Sequence, residues 1–160
     1  MSIPANDMPQ VCARRAPKVL VIDDDPRIRE LIELSLTRQG FSVSTAENGR
    51  IGLKKFHAEH PDLVITDILM PDVEGIETIM ALKASAHPPK VIAISGGGRV
   101  IGRDFLTWAT HLGADEILPK PFRMSALVAL ARLQLDESPP APAWTPFQPA
   151  AEPERCYAHG

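Results

Sequence analysis

The feature that most restricts the fold is an alternation. Short apolar runs hand over, time after time, to longer segments of helical period. "VLVI" (19–22) is apolar throughout, the mark of a strand covered on both faces. Pro26 stands where a first helical residue would, behind Asp25 as a candidate N-cap. Ile28, Leu31, Ile32, Ser35 and Leu36 follow at helical spacing, and Gly40 is a natural stop. "FSVSTA" (41–46) alternates like a strand nearer a sheet edge. A helix is expected over 48–59, with Ile51, Leu53 and Phe56 inward and Pro61 beyond its end. "DLVITDI" (62–68) reads as another buried strand, 75–85 as a third helix and "KVIAIS" (90–95) as a fourth strand. A glycine-rich loop (96–98) leads to a helix carrying Phe105, Trp108, Ala109 and Leu112. "EILPK" (116–120) and 125–135 supply the last strand and helix. Five β–α units in succession predict an α/β fold, a doubly wound (βα)5 with a five-stranded parallel sheet. In such folds chemistry gathers at the carboxyl ends of the strands.

Those ends carry a consistent set of groups. The first strand runs into Asp23, Asp24 and Asp25, the third into Asp67, the fourth into Ser95 and the fifth into Lys120. Adjacent carboxylates raise one another's pKa, and a divalent cation removes the conflict. Mg²⁺, which accepts one or two carboxylates, waters and a phosphate, is the expected cofactor. Asp67, ending a buried strand, has the placing of a nucleophile that attacks phosphorus to give an aspartyl phosphate. Lys120 supplies charge neutralisation, and the Ser95 hydroxyl can donate to a phosphoryl oxygen.

"VLVIDDDP", "LVITDILMPDVEG", "VIAIS" and "GADEILPKPF" together resemble the receiver domain of bacterial two-component response regulators, over about Lys18 to Leu135. The resemblance implies a flavodoxin-like receiver fold with Asp67 as phospho-acceptor, supplied by a sensor histidine kinase or a histidine phosphotransfer protein. It implies Asp24 as a direct Mg²⁺ ligand, Asp23 acting largely through water, the Leu69 backbone carbonyl as a further ligand, and a cis Lys120–Pro121 bond. Asp25 keeps its helix-capping role. Three positions depart from the pattern. Ile117 replaces a frequent aromatic, so an aromatic rotamer switch is not available. Glu74 replaces the usual aspartate of the loop, and "SGGGRVIG" is unusually rich in glycine. The Leu69 side chain cannot orient an attacking water, so slow loss of the phosphoryl group is expected.

Two rival readings share the motif. Asp23-Asp24-Asp25 also resembles the start of haloacid-dehalogenase-like phosphatases, with Asp23 as nucleophile and Asp25 as general acid. Arg27 and the missing later acidic pair count against it, and Asp67 is left unexplained. A receiver fold that takes no phosphate and serves only as a binding module is the other.

The remaining expectations are organisational. The 160 residues, 44% hydrophobic, suffice for one core. Residues 1–16 read as a flexible N-terminal segment, 17–135 as the folded domain and 136–160 as a flexible tail with six prolines. The tail carries Trp144 and Phe147 among its prolines, and a docking segment is the alternative to an inert tail. A stand-alone, single-domain regulator that signals by contact with an unknown downstream protein is expected. The net charge of -3 does not favour direct nucleic-acid binding. No apolar run approaches the ~18 residues of a membrane span. With no signal peptide, and with Cys12 and Cys156 outside any ligand-spaced pair, the expected location is cytoplasmic.

Overall fold

The computed structural model describes residues 15–70, 74–96, 111 and 113–136. Strands β1 (Lys18–Ile22), β2 (Ser42–Ala46), β3 (Leu63–Asp67), β4 (Lys90–Gly96) and β5 (Glu116–Lys120) form one sheet in the order β2-β1-β3-β4-β5. Every pairing is parallel. Helices α1 (Pro26–Thr37), α2 (Gly49–Glu59), α3 (Glu74–Lys83) and α4 (Met124–Gln134) cover its two faces. This is a flavodoxin-like α/β fold.

The continuous apolar runs are divided by the two-residue period of a strand. Val19, Val21, Leu63, Ile65, Ile92 and Ile94 pack with Ile32 and Leu36 of α1 and Leu127 and Ala131 of α4. Leu20, Ile22, Val64, Val91 and Ala93 pack with Phe56 of α2 and Ile79 and Leu82 of α3. Each of the Val, Leu, Ile and Phe side chains contributes about 1.5–3 kcal/mol on burial, so two cores sharing one sheet hold the strand ends in register.

Local signals set the helix limits. Asp25 Oδ1 accepts the Arg27 N–H at 2.8 Å, capping α1 as its position predicts. Asn48 caps α2 through the Ile51 N–H at 2.8 Å. Gly40 has φ +90 just past the end of α1, a conformation other residues avoid. Lys120–Pro121 is cis.

Leu31 lies in α1 as its spacing predicts and is 49% exposed, because the buried stripe is narrow and runs through Ile32 and Leu36. Two expectations need correction. Glu74 begins α3 rather than lying in a loop. The "FSVSTA" strand starts at Ser42, and Phe41 is buried ahead of it. Phe105, Trp108, Ala109 and Leu112 of the expected fourth helix, the glycines at 97 and 98, Cys12, Cys156, Trp144 and Phe147 lie outside the described residues. Arg15 pairs with Asp62 at 3.2 Å, and the Lys18 N–H donates to the same carboxylate at 2.8 Å.

Candidate functional site

The order of strands reverses between β1 and β3, and a crevice opens at the carboxyl ends where the chain departs in opposite directions. Ile22 pairs with Thr66, so Asp23 and Asp67 come level at that crevice. Asp67 pairs with Ile94, which sets Ser95 one step further along the neighbouring strand. Lys120 ends β5, opposite Gly96.

The side chains converge. Carboxylate oxygens of Asp23, Asp24 and Asp67 lie within 4.8 Å of one another. Asp23 is 1% exposed and Asp67 4%, whereas Asp24 faces solvent. Lys120 Nζ donates to Asp67 Oδ2 at 2.6 Å and to Asp23 Oδ2 at 3.4 Å, so it reaches past β4 to both. The Leu69 N–H donates to Asp67 Oδ1 at 2.8 Å, and the Asp25 N–H to Asp23 Oδ1 at 2.8 Å. Ser95 is half-buried beside this group. Ile117, opposite Ala93, packs partly buried against the core on the α2–α3 face.

Charge decides what the crevice accepts. Burial, above all, pushes the Asp23 carboxyl above its usual value; the Asp25 N–H and Lys120 oppose the rise, and Asp67 adds to it. Burial pulls Lys120 down, but its hydrogen bond to Asp67 and the charges of Asp67 and Asp23 outweigh this and raise it. Lys120 is therefore a fixed cation. Three carboxylates against one ammonium leave a net negative, oxygen-lined pocket, the donor set that suits a hard dication such as Mg²⁺.

A profile of the response regulator receiver domain matches residues 19–132. The chain belongs to this receiver family. It is 33% identical over 127 residues to the response regulator MprA of Mycolicibacterium vanbaalenii, covering 77% of this chain and 52% of that protein. It is 36% identical over 121 residues to the transcriptional regulatory protein CpxR homolog of Haemophilus influenzae, covering 76% and 51%. The chain thus spans about half the length of the curated relatives it matches. A receiver domain structure from Clostridium thermocellum superposes with a TM-score of 0.68 at 31% identity, covering 75% of this chain and 94% of that one. A CheY-like receiver domain protein from Methanospirillum hungatei gives 0.70 at 26%, covering 76% and 95%. These relatives are regulators of two-component signalling rather than metabolic enzymes. Among the described residues no helix is long and apolar enough to cross a membrane.

Within this receiver domain the structure brings Asp23, Asp24, Asp67 and Lys120 together and sets Leu69 and Ser95 beside them. Asp25 stands apart from the acidic group, its carboxylate engaged by the Arg27 N–H, so the phosphatase reading is left without its acid. Two residues escaped the sequence reading. Arg29 Nη1 donates to the carbonyls of Asp23 at 2.6 Å and Asp24 at 3.1 Å. The signal was available: a cation in the opening stretch of a helix is disfavoured by the helix dipole and calls for a local partner. Gly75 has the backbone of Asp67 and Ile68 against its Cα, and no side chain fits between. Its signal is weaker, a glycine inside the first turn of a helix.

Proposed function

We propose that the domain accepts a phosphoryl group on Asp67 from a sensor histidine kinase or a histidine phosphotransfer protein and signals by phosphorylation-dependent protein contact. An Asp67 carboxylate oxygen forms a bond to phosphorus as the bond from phosphorus to the donor imidazole breaks. The imidazole nitrogen keeps the electron pair of that bond, and the product is an aspartyl phosphate. Positioning and charge neutralisation supply the catalysis. Asp23, Asp24, Asp67 and the Leu69 carbonyl would hold Mg²⁺, whose role is to neutralise the phosphoryl oxygens beside the carboxylates. Lys120 holds Asp67 in place and offers its ammonium to the incoming group. Ser95 donates its hydroxyl to a phosphoryl oxygen. The Leu69 N–H keeps the acceptor carboxylate from rotating.

The observation that carries this reading is the Asp67 carboxylate, buried at the switch point, held by Lys120 and level with Asp23. A metabolic role is not implied; the protein is read as a regulator that catalyses its own modification and its reversal. A regulator that works in the cytoplasm without touching nucleic acid itself belongs to the same proposal.

Incubation with acetyl phosphate and Mg²⁺, followed by mass spectrometry, tests it. One phosphoryl group is expected on the wild type and on Asp25→Asn, and none on Asp67→Asn. Labelling that survives in Asp67→Asn, or a wild type that takes no label, defeats the proposal.

A further inference from the structure

Arg29 occupies an unfavourable place. It is the fourth residue of α1, whose first turn carries no acid, and Arg27 adds a second cation there. A positive charge near a helix N-terminus opposes the dipole. The half-buried guanidinium is nonetheless committed to one task, with a single nitrogen donating to two consecutive carbonyls, those of Asp23 and Asp24. The same turn is closed from within, where the Asp25 N–H donates to Asp23 Oδ1. With both peptide planes held, the Cα–Cβ directions of Asp23 and Asp24 are fixed. Their carboxylates then meet that of Asp67 within 4.8 Å.

We propose that Arg29 is a positioning residue, holding the β1–α1 turn so that the Asp23 and Asp24 carboxylates converge with Asp67 into a preformed divalent-cation site. This rests on the receiver reading above. Charge and positioning make opposite demands, which renders the idea testable. A guanidinium on the turn that carries two of the three carboxylates repels a dication, so its removal on charge grounds alone tightens metal binding. Loss of positioning loosens it, because unfixed carboxylates must be ordered at the moment of binding.

The full chain as wild type, Arg29→Gln and Arg29→Lys is titrated with Mg²⁺ alone by calorimetry. The expected dissociation constant of Arg29→Gln is about tenfold higher than that of wild type, the usual effect of removing an outer partner of metal ligands. Arg29→Lys, one bond shorter but still a donor, falls between. In acetyl phosphate labelling, Arg29→Gln needs more Mg²⁺ for half-maximal rate, yet at saturation comes within about twofold of wild type, as expected when binding alone is impaired. Unchanged or tighter Mg²⁺ binding by Arg29→Gln overturns the proposal. Should that variant unfold by circular dichroism, Arg29→Lys decides, and an unaltered constant overturns it too. A wild type that binds no Mg²⁺ defeats the receiver reading as well; a wild type that binds and labels, beside an unaffected Arg29→Gln, refutes the role of Arg29 alone.

Discussion

Gly75→Ala places one methyl group where the main chain at the end of β3 already lies. A Cβ on Gly75 would stand 2.5 Å from the Asp67 carbonyl oxygen, 2.6 Å from that of Ile68 and 2.8 Å from Ile68 Cα. All three atoms are main chain, so no rotamer change relieves the overlap. Either α3 or the turn after β3 must move by roughly half an ångström or more. The helix is not free to move. Ile79 and Leu82 are fully buried, and Lys83 at its far end donates to Asp115 at 2.5 Å and to the Pro89 carbonyl at 3.1 Å. The turn is therefore the part that yields, and it carries Asp67 and the Leu69 N–H.

Overpacking of this kind costs about 1–3 kcal/mol. Alanine's helix preference over glycine returns up to about 1 kcal/mol. The net expectation is a loss of about 1–2 kcal/mol, which lowers the urea midpoint by about 0.5–1 M. On the proposed reading a displaced Asp67 also reacts more slowly; if 1 Å costs about a hundredfold, half that costs about tenfold. Urea denaturation followed by circular dichroism, with acetyl phosphate labelling on the same preparations, measures both. A Gly75→Ala protein as stable as wild type and labelled at the same rate refutes the reasoning.

Lys120→Met removes the only ammonium that touches Asp67 and Asp23 among the described residues. Mg²⁺ binding by calorimetry should tighten, by about tenfold after solvent screening, while labelling of Asp67 slows by about a hundredfold or more. Leu69→Asn supplies an amide able to orient water, and release of the phosphoryl group should accelerate by about tenfold; equal decay rates remove the idea. Asp115→Asn should lose about 1–2 kcal/mol at neutral pH, since Asp115 Oδ2 accepts from Lys83 at 2.5 Å and the Val91 N–H at 2.8 Å. Burial pulls the Asp115 carboxyl upward, but Lys83, the Val91 N–H and Lys90 together hold it below 3.8, so its contribution is complete above that value and fades as pH falls through the lowered one. Denaturation of both proteins across that range should show the gap narrowing; a constant gap counts against it.

What was legible in the chain follows from range. A strand covered on both faces announces itself by an unbroken apolar run, and "VLVI", the "LVI" of "DLVITDI" and the "VIAI" of "KVIAIS" each did so. The fold then places Asp23 and Asp67 together, because adjacent parallel strands bring their carboxyl ends to one edge. The Asp25 cap is visible because its partner, Arg27, is two residues away. Helical spacing located the stripe of α1 but not its margin, where Leu31 lies exposed. Gly75 was read only as the start of a helix, since its constraint comes from the main chain of Asp67 and Ile68, whose path the sequence does not display. The Lys83–Asp115 pair joins residues 32 apart, and no periodicity connects them.

The same contacts explain how a reaction on β3 can be felt on β5. In the state described, both Asp67 oxygens are occupied, Oδ1 by the Leu69 N–H and Oδ2 by Lys120. On the proposed reading, phosphorylation turns one of these into a bridging oxygen, which carries no charge and accepts poorly. Lys120 then finds stronger acceptors on the phosphoryl group, and it leaves one partner as it gains another. The number of ionic contacts is preserved, so the exchange costs little net energy, while the end of β5 must follow its lysine. A switch between two nearly balanced arrangements needs only a small bias, and a change of acceptor at Lys120 is of that kind.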